Sequence, residues 1–174
     1  WGIDVCYSGT QKCLSCPPGL SPLTLSDRAL ASIKARRTPC QSWYFDMALI
    51  ADYWAEGTRA YHHTAPISML YALREALRLV EEEGLPARFT RHRLNSEALI
   101  AGLTELGLIS LPPAGHRLPM LTCVTVPPPI PETEVRMNLL STYGIEIGGG
   151  IGPLKGKVWR IGLMGESSTE AHVL

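Results

Sequence analysis

The chain has 174 residues, 45% of them hydrophobic and 18% charged, which is the balance of an ordinary globular protein and not of a disordered one. Lysines plus arginines and aspartates plus glutamates each number 16, so no net field draws the chain toward nucleic acid or an anionic membrane. No apolar run approaches the roughly 20 residues that a membrane-spanning helix needs.

The basic cluster Lys34, Arg36, Arg37 is short and reads as a solvated helix end. The chain starts at Trp1-Gly2-Ile3-Asp4, with no Met, basic leader or signal-like core, and reads as mid-protein. Five cysteines, an odd number in apolar surroundings, point to reduced thiols in an intracellular compartment. Cys13-Leu14-Ser15-Cys16 is a CxxC, but a zinc site wants a second ligand pair, and none follows at metal spacing. His62 and His63 are adjacent, and on a regular element neighbours point apart. A redox pair belongs at a helix N-terminus, which Pro17-Pro18-Gly19 blocks. No metal is expected.

In chain order, Ile3–Tyr7 reads as a short strand running into the polar turn Ser8-Gly9-Thr10-Gln11-Lys12. Ser26-Asp27 caps a helix through Ala29, Ile33 and Arg36. A second helix spans Tyr44 to Trp54, with Met47, Ile50 and Trp54 on one face, and Gly57 ends it. Leu70, Leu73, Leu77 and Val80 recur at helical spacing, with Thr64 or Ser68 as N-cap. Glu81-Glu82-Glu83 and Gly84 close that helix; its acidic last turn opposes the helix dipole at a cost of about 0.3–1 kcal/mol.

Pro86 opens a further helix to about Leu106, stopped by Gly107, and strand-like runs follow at Leu108–Leu111 and Met120–Val126. Pro127–Pro131 is a stiff connector. Glu132 to Tyr143 reads as helix, Ile145–Ile147 as a short strand, Val158–Leu163 as a strand, and a last helix starts near Ser168. The fold class is α/β, with a boundary near Gly84 and no internal repeat.

Four segments share one resemblance. Tyr7-Ser8-Gly9-Thr10-Gln11-Lys12, followed by Pro17-Pro18-Gly19, resembles the cofactor-lysine segment of class V pyridoxal-phosphate-dependent aminotransferases, most closely the alanine–glyoxylate and serine–pyruvate branch. Tyr61-His62-His63-Thr64, Ile147-Gly148-Gly149-Gly150-Ile151-Gly152, and Gly156-Lys157-Val158-Trp159-Arg160-Ile161-Gly162 are similar to segments of the same family, in the same order. The resemblance covers essentially the whole chain. It implies a fold-type I transferase fragment: residues 1–84 as the C-terminal part of the large cofactor-binding domain, and 85–174 as the small domain, truncated at its end.

Chemistry gives each implied role a reason. A lysine that acts as a Schiff-base nucleophile must be neutral while it works, which asks for a desolvated or cation-neighboured setting. By itself Lys12 reads as a surface lysine; the resemblance makes it the residue that holds pyridoxal 5'-phosphate as an aldimine. The resemblance makes Gln11 a phosphate ligand, and Tyr61 and Thr64 ligands of the neighbouring subunit's cofactor phosphate. Two hydroxyls near a helix N-terminus suit that task, and Thr64 could equally be a plain N-cap.

Alternation along Val158-Trp159-Arg160-Ile161-Gly162 puts Val158, Arg160 and Gly162 on one face. An arginine in so apolar a strand needs an anion. The residues alone allow an internal salt bridge; the resemblance assigns Arg160 to the substrate carboxylate. Gly148 to Lys157 fits neither nucleotide template, since a P-loop needs Gly at Ile151 and Ser or Thr at Val158, and a dinucleotide loop needs Gly at Pro153. Its glycines read instead as room for backbone to pass close.

The activity implied is ping-pong transamination between alanine or serine and glyoxylate or pyruvate, in a homodimer with shared sites. Other class V activities stand as alternatives: 3-hydroxykynurenine or aminoethylphosphonate transamination, or a lyase. A different reading is a catalytically incomplete chain, inactive by itself, because the pyridinium-pairing aspartate, the ring-stacking aromatic and the glycine-containing phosphate loop of the family lie in a segment that has no counterpart here. The family suggests peroxisome or mitochondrion, although Ala171-His172-Val173-Leu174 is no peroxisomal signal.

Overall fold

The computed structural model describes residues 1–57 and 60–174. They form two compact units, Trp1–Gln11 with Cys16–Arg74, and Lys12–Ser15 with Glu75–Leu174.

In the first unit β1 (Val5–Tyr7) pairs antiparallel with β2 (Leu23–Leu25). The strand expected from Ile3 is thus shorter. Its ladder is extended at both ends, by Ser8 N–H donating to Pro22 O and Ser26 N–H donating to Asp4 O, each at 2.9 Å. α1 (Asp27–Lys34) has Ser26 as its N-cap, whose hydroxyl accepts from Ala29 N–H at 3.1 Å, as expected. Ser26 also donates to Asp4, which Arg28 grips with two nitrogens.

α2 (Met47–Trp54) starts later than expected. Asp46 takes the N-cap, accepting from Ala48 N–H at 3.0 Å, and Trp43–Phe45 form a separate 3-10 turn. A carboxylate at a helix entrance satisfies an orphan donor and complements the dipole, so the aromatic run is left outside. The helix ends at Trp54 as expected, with Ala55, not Gly57, as its C-cap.

α3 (Ile67–Glu83) starts after Pro66, whose carbonyl accepts from Met69 and Leu70. Neither expected cap serves: Ser68 is inside the helix, and Thr64 lies before it. Gly84 adopts φ +79° and donates to Val80 O at 2.9 Å. Leu70 and Leu77 of the expected apolar stripe stay 39% and 48% exposed, a face without enough chain to cover it among the described residues.

In the second unit α4 (Leu85–Glu105) carries Pro86 in its first turn and is followed by Gly107 at φ +78°. Its inward stripe is polar. Arg88, His92 and Ser96 are buried, and Arg91 and Asn95 are half-buried. The spacing is that of a helix face, but the side chains work by hydrogen bonding. Arg91 donates to the carbonyls of Gly165 at 3.0 Å and Ser168 at 2.6 Å, and Asn95 donates to Ser168 at 2.8 Å.

A three-stranded antiparallel sheet has the order β3 (Leu121–Thr125), β5 (Val158–Gly162), β4 (Gly148–Gly149). Val124, Val158, Trp159 and Leu163 form the buried apolar centre of the unit. α5 (Glu132–Tyr143) matches expectation at both ends, and Gly144 closes it in the left-handed region. The Trp159 indole donates to Glu132 O at 3.2 Å.

Three expectations are corrected here. Leu108–Leu111 forms only a bridge beside β3, through Leu111 N–H to Cys123 O and Thr125 N–H to Ile109 O. The strand expected at Ile145–Ile147 lies instead at Gly148–Gly149, where the backbone meets β5. After Met164 the chain makes two 3-10 turns, not an α-helix, and the Ser168 carbonyl that would open the expected helix is bonded by Arg91 and Asn95.

Glu83 sits at the acidic end of α3, where the dipole disfavours it, yet Arg91 holds it with Nε at 2.6 Å and Nη2 at 2.9 Å, and Arg88 with Nη1 at 2.7 Å. These bonds, Arg91 foremost, lower its pKa from 4.5 to about 2 against the opposing effect of burial. The unfolded chain therefore binds the proton first, and the stabilisation is complete above pH 4.5 and is lost as pH falls toward about 2. Allowing for solvent screening, it is on the order of 2 kcal/mol. Glu83→Gln is expected to be less stable at neutral pH and to lose that share of the acid dependence in urea titrations across this range. A variant with the parent's stability and slope would contradict it.

Candidate functional site

Lys12 lies on a short excursion between β1 and β2. Thr10, fully buried, donates its hydroxyl to Pro17 O at 2.9 Å, and its carbonyl accepts from Cys16 N–H at 3.0 Å. Ser15 N–H donates to Lys12 O at 2.8 Å, closing a tight turn, and Ser15 takes φ +58°, the one described non-glycine residue with a positive φ. Gln11 folds its amide back over Gly9, where a Cβ would come within 2.8 Å of Oε1. Lys12 is exposed. The desolvation expected of it is not supplied by the described residues, because the turn carries it outward.

Tyr61 and Thr64 are brought together: their hydroxyls are 2.7 Å apart, on exposed side chains. Two hydroxyls converging at one point can both face a single anion. Thr64 is not an N-cap, since α3 opens after Pro66. Beside them His62 is buried, stacked on Trp43 at 4.3 Å with 12° between the rings, and its Nε2 lies 3.1 Å from Trp43 O. The two histidines do not point apart as expected, and their Nδ1 atoms are 2.7 Å from each other. Residues 60–66 form no regular element, so the alternation of a strand does not apply.

Arg160, half-buried in β5, donates Nε to Gly149 O at 2.7 Å. No described carboxylate pairs with it. Cys123 faces it from β3; burial pushes that thiol upward, with the Arg160 charge working against the shift.

The glycine loop does what its composition suggests. A Cβ on Gly150 would collide with the Leu154 carbonyl, and one on Gly148 would sit 3.3 Å from Arg160 Nη2. Behind Gly149, Glu132 accepts from Arg136 Nε at 2.5 Å, and this bond holds the Glu132 carboxyl below its usual range.

Lys12 and Arg160 belong to one unit; Gln11, Tyr61 and Thr64 belong to the other. Sequence reasoning missed Arg88, Arg91 and His92 altogether. Their spacing along α4, with Asn95 and Ser96, was the available signal: a helical stripe of hydrogen-bonding residues where an apolar one belongs.

The profile of the family described as aminotransferase class-V matches residues 1–155. The chain belongs to that family. Among curated relatives it is 44% identical to a (S)-ureidoglycine–glyoxylate transaminase of Bacillus subtilis, aligning 100% of this chain and 46% of that protein. It is 43% identical to an alanine–glyoxylate aminotransferase of Oryctolagus cuniculus, over 99% of this chain and 45% of that one. Among solved structures it superposes on an alanine–glyoxylate aminotransferase from Nostoc sp. with TM-score 0.96 and 48% identity, covering 99% of this chain and 46% of that one. The chain thus spans about half the length of the class V aminotransferases it matches.

Proposed function

We propose that this chain supplies the lysine, part of the phosphate site and the substrate arginine of a pyridoxal-phosphate-dependent transaminase that passes the amino group of a small amino acid to glyoxylate. The observation that carries the reading is Arg160, set in a strand with Nε fixed on Gly149 and both terminal nitrogens unpaired by any described carboxylate. Glyoxylate as acceptor rests on the names of both relatives, which share it and differ in the donor. In this reading residues 1–84 complete a large domain and 85–174 a small one.

The donors of the described residues fit the cofactor. Lys12 offers a primary amine on an exposed turn, and the Tyr61 and Thr64 hydroxyls, 2.7 Å apart, offer a two-point grip for a phosphate. Gln11, whose amide lies back over Gly9, would turn toward the phosphate held beside Lys12 of its own chain. When bound, pyridoxal phosphate would supply the electron sink for the charge left at the amino acid's Cα. Lys12 Nζ would take the proton from the amino acid's Cα and hold it for return to carbon. Arg160 holds the carboxylate by its fork, which fixes Cα relative to Nζ. Further protein surface must exclude water from Lys12.

The donor separates two readings. Alanine or serine fits the alanine–glyoxylate relatives, and the ureidoglycine–glyoxylate relative offers a second kind of donor. Assays of the holoprotein with glyoxylate and each donor in turn decide between them; turnover with none of these donors would overturn the proposal.

Tyr61 and Thr64 are assigned to the neighbouring subunit's phosphate, so each site draws on two chains. A Lys12→Ala chain mixed with a Thr64→Ala chain is expected to recover one intact site per heterodimer. No recovery in a sample shown to contain heterodimers would return both residues to their own subunit's site.

A further inference from the structure

The polar stripe of α4 reaches the lysine turn. Arg88 is 5% exposed; its Nη2 donates to Cys13 O at 2.9 Å, while Nη1 donates to Glu83 at 2.7 Å and Glu166 at 2.8 Å. Burying a guanidinium is costly unless its donors are met, and here one of them is spent on the residue next to Lys12. Ser15 Oγ, across the same turn, accepts from Glu166 N–H at 2.9 Å.

Gly165 lies against the turn at φ +60°, and a Cβ there would come within 2.6 Å of Cys13 O and collide with Ser15 Oγ. His92 fixes that glycine. Its Nδ1–H donates to Arg88 O at 2.8 Å, which leaves Nε2 to accept from Gly165 N–H at 2.9 Å. Meanwhile Ser15 is kept in the left-handed region at φ +58°, which side chains other than glycine's disfavour. A strained turn gripped at its carbonyl, at its hydroxyl and by close glycine contact is held in one conformation.

We propose that Arg88, with Gly165 and Ser15, forms a clamp that positions the Lys12–Ser15 turn for the proton transfer at Lys12. The proposal rests on the reading of Lys12 given above. Arg88 touches neither substrate nor cofactor in this account; it is a positioning residue, acting through the Cys13 carbonyl.

The test uses Arg88→Met and, because a change at a buried charge can prevent folding, Gly165→Ala, which leaves every charge in place. Cys13, half-buried on the turn, is a built-in reporter, with exposed Cys6 as internal reference. Alkylation with iodoacetamide, quantified by peptide mapping of the apoprotein, is expected to speed up about 10-fold at Cys13 relative to Cys6 when the charged hydrogen bond is lost. In the holoprotein kcat is expected to fall about 10-fold or more while the amino-acid KM stays within about twofold, since misplacing the amine slows chemistry and leaves Arg160 intact.

Cys13 labelling at the parent's rate in a folded variant overturns the proposal, and so does faster labelling with kcat unchanged. Borohydride reduction and mapping of the holoprotein separates the two levels. A pyridoxyl group found away from Lys12 removes the functional reading and this proposal with it; a group on Lys12 with unchanged Cys13 labelling removes the clamp alone.

Discussion

Replacing Lys12 with alanine is expected to lower transamination turnover by about 10³–10⁴-fold or more, because in the proposed function this one side chain would be both covalent anchor and acid–base catalyst. The structure adds a reason to single out this lysine. It is carried on a turn whose base is fixed by buried Thr10 and whose tip includes the strained Ser15, whereas Lys155 and Lys157 lie on the loop before β5 and Lys34 at the last turn of α1, 3.9 Å from Asp52. Borohydride reduction of the holoprotein and peptide mapping should place the pyridoxyl group on Lys12. A label on Lys34, Lys155 or Lys157, or a Lys12→Ala variant within tenfold of the parent, would defeat the assignment.

How far the chain could be read beforehand depended on which interactions were local. α5 was legible at both ends because its signals are local: a proline-rich entrance, acidic residues in the first turn, and Gly144 after the last. α3 was legible from its leucine spacing and Gly84, but its start was not, because Pro66 displaced the two hydroxyl candidates. β4 was misplaced onto Ile145–Ile147 because strand propensity follows β-branched side chains. The residues that pair with β5 are Gly148 and Gly149, chosen for closeness to Arg160 and not for propensity.

The same division runs through the site. Tyr61 and Thr64 stood out by motif, yet the contact between their hydroxyls depends on an irregular segment whose path no periodicity encodes. Arg160 was legible as a charge in an apolar strand, while its fixing by Gly149 needed the register of a strand that the sequence hides. The long-range bonds from Arg88 to Cys13 and from Ser15 to Glu166 join residues far apart in the chain, and no local pattern in either partner announces them.

Arg160→Lys is expected to raise the amino-acid KM by about one to two decades, on an estimate of roughly 1.5–3 kcal/mol for the bidentate bond that is lost. Lysine keeps the charge but has no Nε. It therefore forfeits the 2.7 Å bond to Gly149 O that aims the arginine's fork, as well as the fork itself. Cofactor affinity should barely change, because the phosphate ligands assigned here, Gln11, Tyr61 and Thr64, are untouched. Gly148→Ala should move KM in the same direction by less, since its Cβ would stand 3.3 Å from Arg160 Nη2 and crowd the guanidinium without removing it. Steady-state kinetics with varied amino acid, paired with a cofactor titration of each variant, separate the two affinities. An Arg160→Lys protein that lost the cofactor while keeping its substrate affinity would show that this arginine serves the phosphate, and the carboxylate would need another partner.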